Sequence, residues 1–289
     1  MLAYKFMILQ DDASNTYGLA SVGIAPLRRE PSDTAEMVSQ ILIGELFQLL
    51  KAQKNWWKVK ALLGDYVGWI NSNEGYLLKD SEIQEWVDAN KNPDKRSPYY
   101  TFRAVAENNC CLLPPGCVIN KQGSSIKYPF GMYKCNAEPQ RILGADWLET
   151  ATNFLGTPYL WGGRTDTGID CSGFMQTVLM LHGIYFPRDS IDQAGAVQLQ
   201  QTRTTDPVEP GDIIYFNPKT ERISHVGFYL GDGLLLHASG KVKIEQISTD
   251  SFTNNGEFDI AYNKRLSEHI VGYQQQQNLN RMRSIKTLK

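Results

Sequence analysis

The sequence predicts an α+β fold, with one or two small β-barrels ahead of a domain in which helices precede an antiparallel sheet. Three observations carry this prediction. Residues 17–79 break into short β-prone runs separated by turn residues. Apolar residues recur at helical spacing around 142–155 and again at 171–183. Beyond Glu209-Pro210-Gly211-Asp212 the pattern becomes strands. Helices first and strands afterwards indicate an α+β domain.

The first unit, 1–79, should hold strands at Tyr17–Ile24, Glu36–Ile43, Phe47–Lys51, Trp56–Leu62 and Tyr66–Ile70. Pro31-Ser32-Asp33, Lys54-Asn55 and Gly64-Asp65 supply the turns. Strand residues alternate faces, so Trp56 and Trp57 are expected one in the core and one exposed. The acidic run Asp80–Asp88 is a helix candidate within a linker over 80–98. A second strand-rich piece, 99–140, surrounds Leu113-Pro114-Pro115-Gly116 and is too short for a core of its own. It should lean on its neighbours.

The last domain is expected over 141–274. Ile142, Trp147, Ala151, Phe154 and Leu155 mark one helix, stopped by Gly156-Thr157-Pro158. Phe174, Val178 and Leu181 form an apolar face on a second, ending at Gly183. Strands follow at Ile213–Phe216, Ser224–Leu230, Leu234–Ala238 and Ile270–Gln274. A basic polar tail, 275–289, closes the chain.

Composition bounds the function. A net charge of -2 offers no basic field for nucleic acid. No run approaches the roughly 18 apolar residues of a membrane span. Met1-Leu2-Ala3-Tyr4-Lys5 lacks the features of a secretory leader. A cytoplasmic monomer is expected, secreted only if a leader has been removed. Five cysteines make an odd count, unremarkable in a reducing compartment. Cys110, Cys111, Cys117 and Cys135 lack paired ligand spacing and a nearby histidine, so they read as packing thiols rather than a metal site. Gly162-Gly163 lacks the lysine and spacing of a phosphate-binding loop. No cofactor or metal is expected.

Cys171 sits where a loop turns into a helix, where unpaired amides favour a thiolate. Gly173 leaves space beside the sulfur. A nucleophilic cysteine needs a base, and four histidines are available. His182 and His269 read as helix-end or surface residues. His225 and His237 lie on consecutive strands joined through Gly231-Asp232-Gly233. A three-residue loop pairs Leu230 with Leu234 and Gly227 with His237, which puts both imidazoles on one face. A two-residue loop would separate them. Sharing a face, one ring could take the thiol proton while the other held it in place. Two satisfied sheet histidines are the plainer alternative.

Asp170-Cys171-Ser172-Gly173, Pro210-Gly211-Asp212, Ser224-His225-Val226-Gly227 and His237-Ala238-Ser239 resemble, in order, the motifs of NlpC-like cysteine peptidases. That family has a papain-like fold and cleaves γ-D-glutamyl bonds in peptidoglycan stem peptides. The resemblance covers 141–273 and implies Cys171 as nucleophile, His225 as base and His237 as orienting residue. It also implies a substrate-side loop at Tyr159-Leu160-Trp161-Gly162-Gly163. Residues 17–79 resemble a bacterial SH3-like domain through Arg28-Arg29-Glu30-Pro31, Trp56-Trp57 and Tyr66-Val67-Gly68-Trp69-Ile70. The piece at 99–140 resembles a degenerate second copy.

The same domain order occurs in murein-recycling enzymes acting on free peptides that begin L-Ala-γ-D-Glu. By that resemblance Glu30, Tyr66, Asp170 and Ser172 would bind the amino end, and Asp189-Ser190 would help hold the peptide. The expected function is cysteine endopeptidase cleavage of the γ-D-Glu–diamino acid bond through an acyl-enzyme on Cys171. The alternatives are a cell-wall amidase or acyltransferase on the same scaffold, and a non-catalytic cell-wall binding protein.

Overall fold

Short runs of alternating apolar residues between tight turns become strands throughout the first unit. The computed structural model describes residues 16–97, 102–106, 109–122, 124–135, 146–196, 200–201, 208–217, 222–247 and 264–274. Ile142 and the tail 275–289 lie outside these. The chain divides into two compact units. One holds the described residues within Met1–Leu143 together with Trp161–Asp166; the other holds those within Gly144–Leu160 and Thr167–Lys289.

In the first unit β1 (Tyr17–Ala20), β2 (Ile24–Arg28), β3 (Met37–Leu42), β4 (Leu46–Gln53), β5 (Trp56–Ala61), β6 (Val67–Asn71) and β7 (Gly75–Leu77) form one antiparallel sheet in the order β3-β2-β6-β5-β4-β1-β7. The run expected as a single strand from Tyr17 to Ile24 is broken after Ala20. Gly23 lies in the break, where a Cβ would come 2.5 Å from the Leu112 carbonyl oxygen. Trp56 and Trp57 are both half-buried, correcting the expected split. Their strand pairs on both edges, and Trp57 packs on Phe47 with ring centroids 6.3 Å apart.

Residues expected as a linker contain α1 (Asp80–Lys91), which buries Trp86, Val87, Ala89 and Asn90. The Glu82 carboxylate accepts from the Lys79 N–H at 2.9 Å and closes the helix start. A five-stranded sheet follows from β8 (Phe102–Ala106), β9 (Asn109–Leu113), β10 (Lys121–Gln122), β11 (Ser125–Tyr128) and β12 (Gly131–Cys135), ordered β10-β11-β12-β8-β9. Its Cys111, Leu113, Ile126 and Tyr128 share a core with Leu19 and Leu46 of the first sheet, Ile43 in the turn after β3, and Trp86 of α1. So small a sheet buries its apolar face only against neighbours. Cys111 and Cys117 are buried, as packing thiols should be, whereas Cys110 is exposed. Neighbours on β9 point to opposite faces.

Trp161–Asp166, with its short strand β13 (Arg164–Thr165), completes this unit. The Arg164 guanidinium donates to both oxygens of buried Glu45 at 3.0 and 3.1 Å, and Arg96 adds a bond of 3.1 Å. Gln40 accepts from the Arg164 N–H through its side chain at 2.8 Å. Burial alone would raise the Glu45 carboxyl, but Arg164 and Arg96 outweigh it and hold it below the usual carboxylate range. Gly162 has φ +78°, and a Cβ there would lie 2.6 Å from the Met37 carbonyl oxygen.

In the second unit Asp146 caps α2 (Trp147–Thr152), accepting from the Leu148 N–H at 3.1 Å. The helix stops three residues before the expected Leu155, in turns that lead to Gly156 at φ +85°. Then come β14 (Gly168–Ile169), α3 (Cys171–Leu181), α4 (Ser190–Ala196), β15 (Gln200–Gln201), β16 (Ile213–Phe216), β17 (His225–Gly231), β18 (Leu234–Ser239), β19 (Lys241–Gln246), α5 (Lys264–Ser267) and β20 (Ile270–Gln274). Six strands make an antiparallel sheet in the order β15-β20-β16-β17-β18-β19. Every residue of α3 from Cys171 to Met180 is buried, so it is a central helix rather than the one-faced helix expected. Phe174 holds it between Phe154 and Phe228, at centroid distances of 5.8 and 5.7 Å.

The β17–β18 hairpin pairs Gly227 with His237, Phe228 with Leu236 and Tyr229 with Leu235, then Gly231 with Leu234. Leu230 therefore does not face Leu234, which corrects the expected loop. Asp232 and Gly233, with φ of +51° and +75°, make a two-residue turn, and Leu230 is the extra residue of a bulge. One bulge plus a two-residue turn preserves the parity that a three-residue loop would give. Both imidazoles stay on one face.

Candidate active site

Cys171 is the first residue of α3, and its cap is the residue before it. Asp170 accepts from the Gly173 N–H at 2.7 Å. Its carboxylate is also gripped by Arg188, at 3.0 Å on one oxygen and 2.6 Å on the other. The same guanidinium donates to the Ser172 hydroxyl at 3.0 Å. Both side chains of this ion pair are nearly inaccessible, 2% for Arg188 and 8% for Asp170, so the pairing offsets a burial neither charge could sustain alone. Gln193, fully buried, donates to the carbonyls of Ser172 and Pro187 at 2.9 and 2.8 Å, lacing α4 to the start of α3. Asp189 and Ser190, half-buried, stand where α4 begins.

Burial, and after it the Asp170 charge, pushes the Cys171 thiol up to about 12. Arg188 and the N–H groups of Ser172 and Val226 pull the other way without prevailing. Helix-start amides were expected to favour a thiolate; desolvation outweighs them. The Val226 N–H that reaches the sulfur belongs to the residue after His225, which sets the start of β17 beside the thiol. Tyr159 is half-buried. Its phenol is raised by burial, then by Cys171 and Asp170, which places it in the same neighbourhood.

His225 Nε2 lies 2.7 Å from His237 Nδ1, with the rings edge-to-face at 83° and centroids 4.9 Å apart. His237 Nε2 lies 3.0 Å from Glu245 Oε2, and Lys243 pairs with the other Glu245 oxygen. The strand register explains the row. His237 stands opposite Gly227 on one side and Lys243 on the other, so His225 and Glu245 are its diagonal neighbours on one face. A Cβ on Gly227 would come 2.9 Å from that of His237, so this position needs glycine.

The other histidines have separate partners. His182 Nε2 meets the Thr150 hydroxyl at 2.7 Å, and His269 Nδ1 meets the Arg265 carbonyl at 2.7 Å. Thus the second unit brings together Cys171, His225, His237, Asp170, Ser172 and Tyr159. Glu30, Tyr66 and Trp161 belong to the first unit. Glu30 is exposed beyond β2, and Tyr66 is packed against the core of that sheet. Trp161 is 60% exposed and donates to Glu36 at 2.8 Å. Arg188, Gln193 and Glu245 were not anticipated. Pro187-Arg188 beside Asp189-Ser190 was the available signal for the first; the other two show only in the fold.

Residues 156–256 match the NlpC/P60 family, and residues 27–74 match the bacterial dipeptidyl-peptidase Sh3 domain. The chain carries an NlpC/P60 domain behind a bacterial SH3 domain. The NlpC/P60 region contains Cys171, His225, His237 and Glu245. Among curated proteins, a γ-D-glutamyl-L-lysine dipeptidyl-peptidase of Bacillus subtilis is 38% identical over 38% of this chain and 37% of its own length. Dipeptidyl-peptidase 6 of Lysinibacillus sphaericus is 25% identical over 75% of this chain and 85% of its own. The chain spans about a third of the length of the first two curated relatives it matches, 37% and 33%. Among solved structures, an NlpC/P60 family protein from Bacillus cereus covers 90% of this chain and 99% of its own, with TM-score 0.66 at 20% identity. An NlpC/P60 endopeptidase from Photobacterium damselae subsp. piscicida covers 81% of this chain and 67% of its own, with TM-score 0.65 at 17% identity. These two share the fold. Among the described residues no helix is long and apolar enough to cross a membrane.

Proposed function

We propose that the protein is a cysteine peptidase that hydrolyses the γ-D-Glu–diamino acid bond of peptidoglycan stem peptides carrying a free N-terminal L-Ala. The observation that carries the reading is a buried thiol at a helix start, touched by the N–H next to His225, whose ring is bonded to His237. The names of the Bacillus and Lysinibacillus relatives favour peptidase over amidase or acyltransferase.

In this reading the resting sulfur is a thiol, so His225 removes the proton as Sγ attacks the γ-carbonyl carbon. Collapse of the tetrahedral adduct breaks the C–N bond, and the imidazolium returns its proton to the leaving amine. Water, deprotonated by the same imidazole, then cleaves the thioester and regenerates Cys171. His237 holds the His225 ring through both charge states. Tyr159, Asp170, Ser172, Asp189 and Ser190 are assigned to the peptide. Glu30 and Tyr66, as recognition of the amino end, and Trp161, as part of the substrate-side loop, enter the proposal on motif resemblance alone.

The test is to incubate the protein with L-Ala-γ-D-Glu-diaminopimelate, its lysine counterpart and their N-acetyl forms, and to identify fragments by mass. L-Ala-D-Glu released from the free-amino peptides, and little from the acetylated ones, is expected. No turnover of any of them, with binding to cell-wall sacculi retained, would overturn the enzymatic reading.

A further inference from the structure

The imidazole pair does not end at His237. Its far nitrogen, Nε2, meets Glu245 Oε2 at 3.0 Å, and His237 is wholly buried while the Glu245 side chain is 11% exposed. A carboxylate can only accept, so the proton between these two groups sits on His237 Nε2. A neutral imidazole carries one N–H, which leaves His237 Nδ1 bare as an acceptor. The 2.7 Å contact from His225 Nε2 must then be an N–H donated by His225. That fixes the second tautomer in turn: Nδ1 of His225 is the unprotonated nitrogen that carries the basic lone pair.

We infer that Glu245 is a positioning residue for the cysteine chemistry, setting through His237 which nitrogen of His225 is basic. The inference rests on the reading of Cys171 and His225 as nucleophile and base. Without Glu245, His237 could carry its proton on either nitrogen. In the tautomer protonated at Nδ1 it would donate to His225 Nε2, moving the lone pair of the neutral His225 ring to Nε2 and the proton to Nδ1. Lys243, on the second Glu245 oxygen, holds the carboxylate in place. The device spans three adjacent strands, β17, β18 and β19, so sheet register aligns it.

Two measurements test it. In wild-type protein with ¹⁵N-labelled histidine, the ring-nitrogen shifts should report His237 and His225 both protonated on Nε2 and bare on Nδ1. A His237 protonated on Nδ1 overturns the inference whatever the variants do. In steady-state kinetics, Glu245→Leu should lower kcat about 10- to 100-fold with little change in KM. Glu245→Gln, which keeps an acceptor oxygen, should recover most of that loss. Because Glu245 acts only through His237, Glu245→Leu added to His237→Ala should cost nothing further. An equal loss in both backgrounds would make Glu245 a merely structural residue. Full activity in Cys171→Ala would remove the reading of the site beneath it, and that outcome is distinct from either failure.

Discussion

At Cys171 two influences compete, and their relative size decides how the residue can react. The amides at the start of α3 favour the thiolate, yet burial and the adjacent Asp170 push the thiol up to about 12. Thiolate ultraviolet absorbance, followed upward from neutral pH with Cys171→Ala as the blank, should therefore show this cysteine ionising only at the alkaline end. A titration step below neutrality would contradict that. His225→Ala should cost about 10²- to 10⁴-fold in turnover, the usual reach of a general base, and His237→Ala less, because it acts on the proton only through His225. Equal losses would assign the base differently. The residue scale was also where the sequence was most readable. Cys171, His225 and His237 stand in short motifs whose spacing could be reasoned about directly. Arg188 could not, since nothing along the chain says that its guanidinium folds back to the carboxylate 18 positions earlier. Nor could burial of the thiol, beside which the fold sets the Val226 N–H of β17.

Among the elements, the β17–β18 hairpin carries the most consequence for its length. Leu230 is the unpaired residue of the bulge, so deleting it alone should restore a regular ladder with Gly227 still opposite His237 and both imidazoles on one face. Secondary structure by circular dichroism and most of the turnover should survive; loss of turnover in a folded variant would show that the bulge itself is needed to align the rings. Gly227→Ala tests the same alignment with a single methyl group. That carbon would fall 2.8 Å from Leu235 Cδ1 as well as against His237, and turnover should fall while peptide affinity stays near wild type. The strands 213–216 and 270–274 coincide with their expected bounds because apolar runs mark them. β19 escaped notice because Lys241, Lys243 and Glu245 dilute its apolar residues, and only the neighbouring β18 makes the stretch a strand. The same dilution concealed Glu245. α4 is short and carries only two buried residues, Gln193 and Ala194, so it has no apolar face to read.

For the molecule as a whole, the buried Glu45 with Arg96 and Arg164 is the electrostatic centre of the first unit. Its carboxyl is held below the ordinary range, so its contribution is present above the unfolded carboxylate pKa and is lost as pH falls through the folded value. Glu45→Gln should lower stability at neutral pH by about 3–5 kcal/mol, the usual cost of stranding a buried partner charge. The gap to wild type in denaturant midpoint should narrow on acidification. A gap that widens in acid would reverse the sign assigned here. Expecting domains in tandem made Trp161–Asp166 read as part of the catalytic region, and its NlpC/P60 match says the same, but in space these residues complete the other unit.

That placement bears on how such a protein could have been assembled or could be taken apart. A chain whose units simply follow one another crosses between them once, and its halves can be exchanged like cassettes. This chain crosses three times, near residues 143, 160 and 166. A foreign catalytic region with no arginine at the position of Arg164, spliced behind the SH3 portion, would leave Glu45 buried with Arg96 as its one remaining guanidinium. A catalytic region expressed by itself would carry a six-residue loop, with a guanidinium suited to a dry carboxylate, into water. A cut at the apparent boundary thereby strands a charge in either product unless the position of Arg164 travels with Glu45.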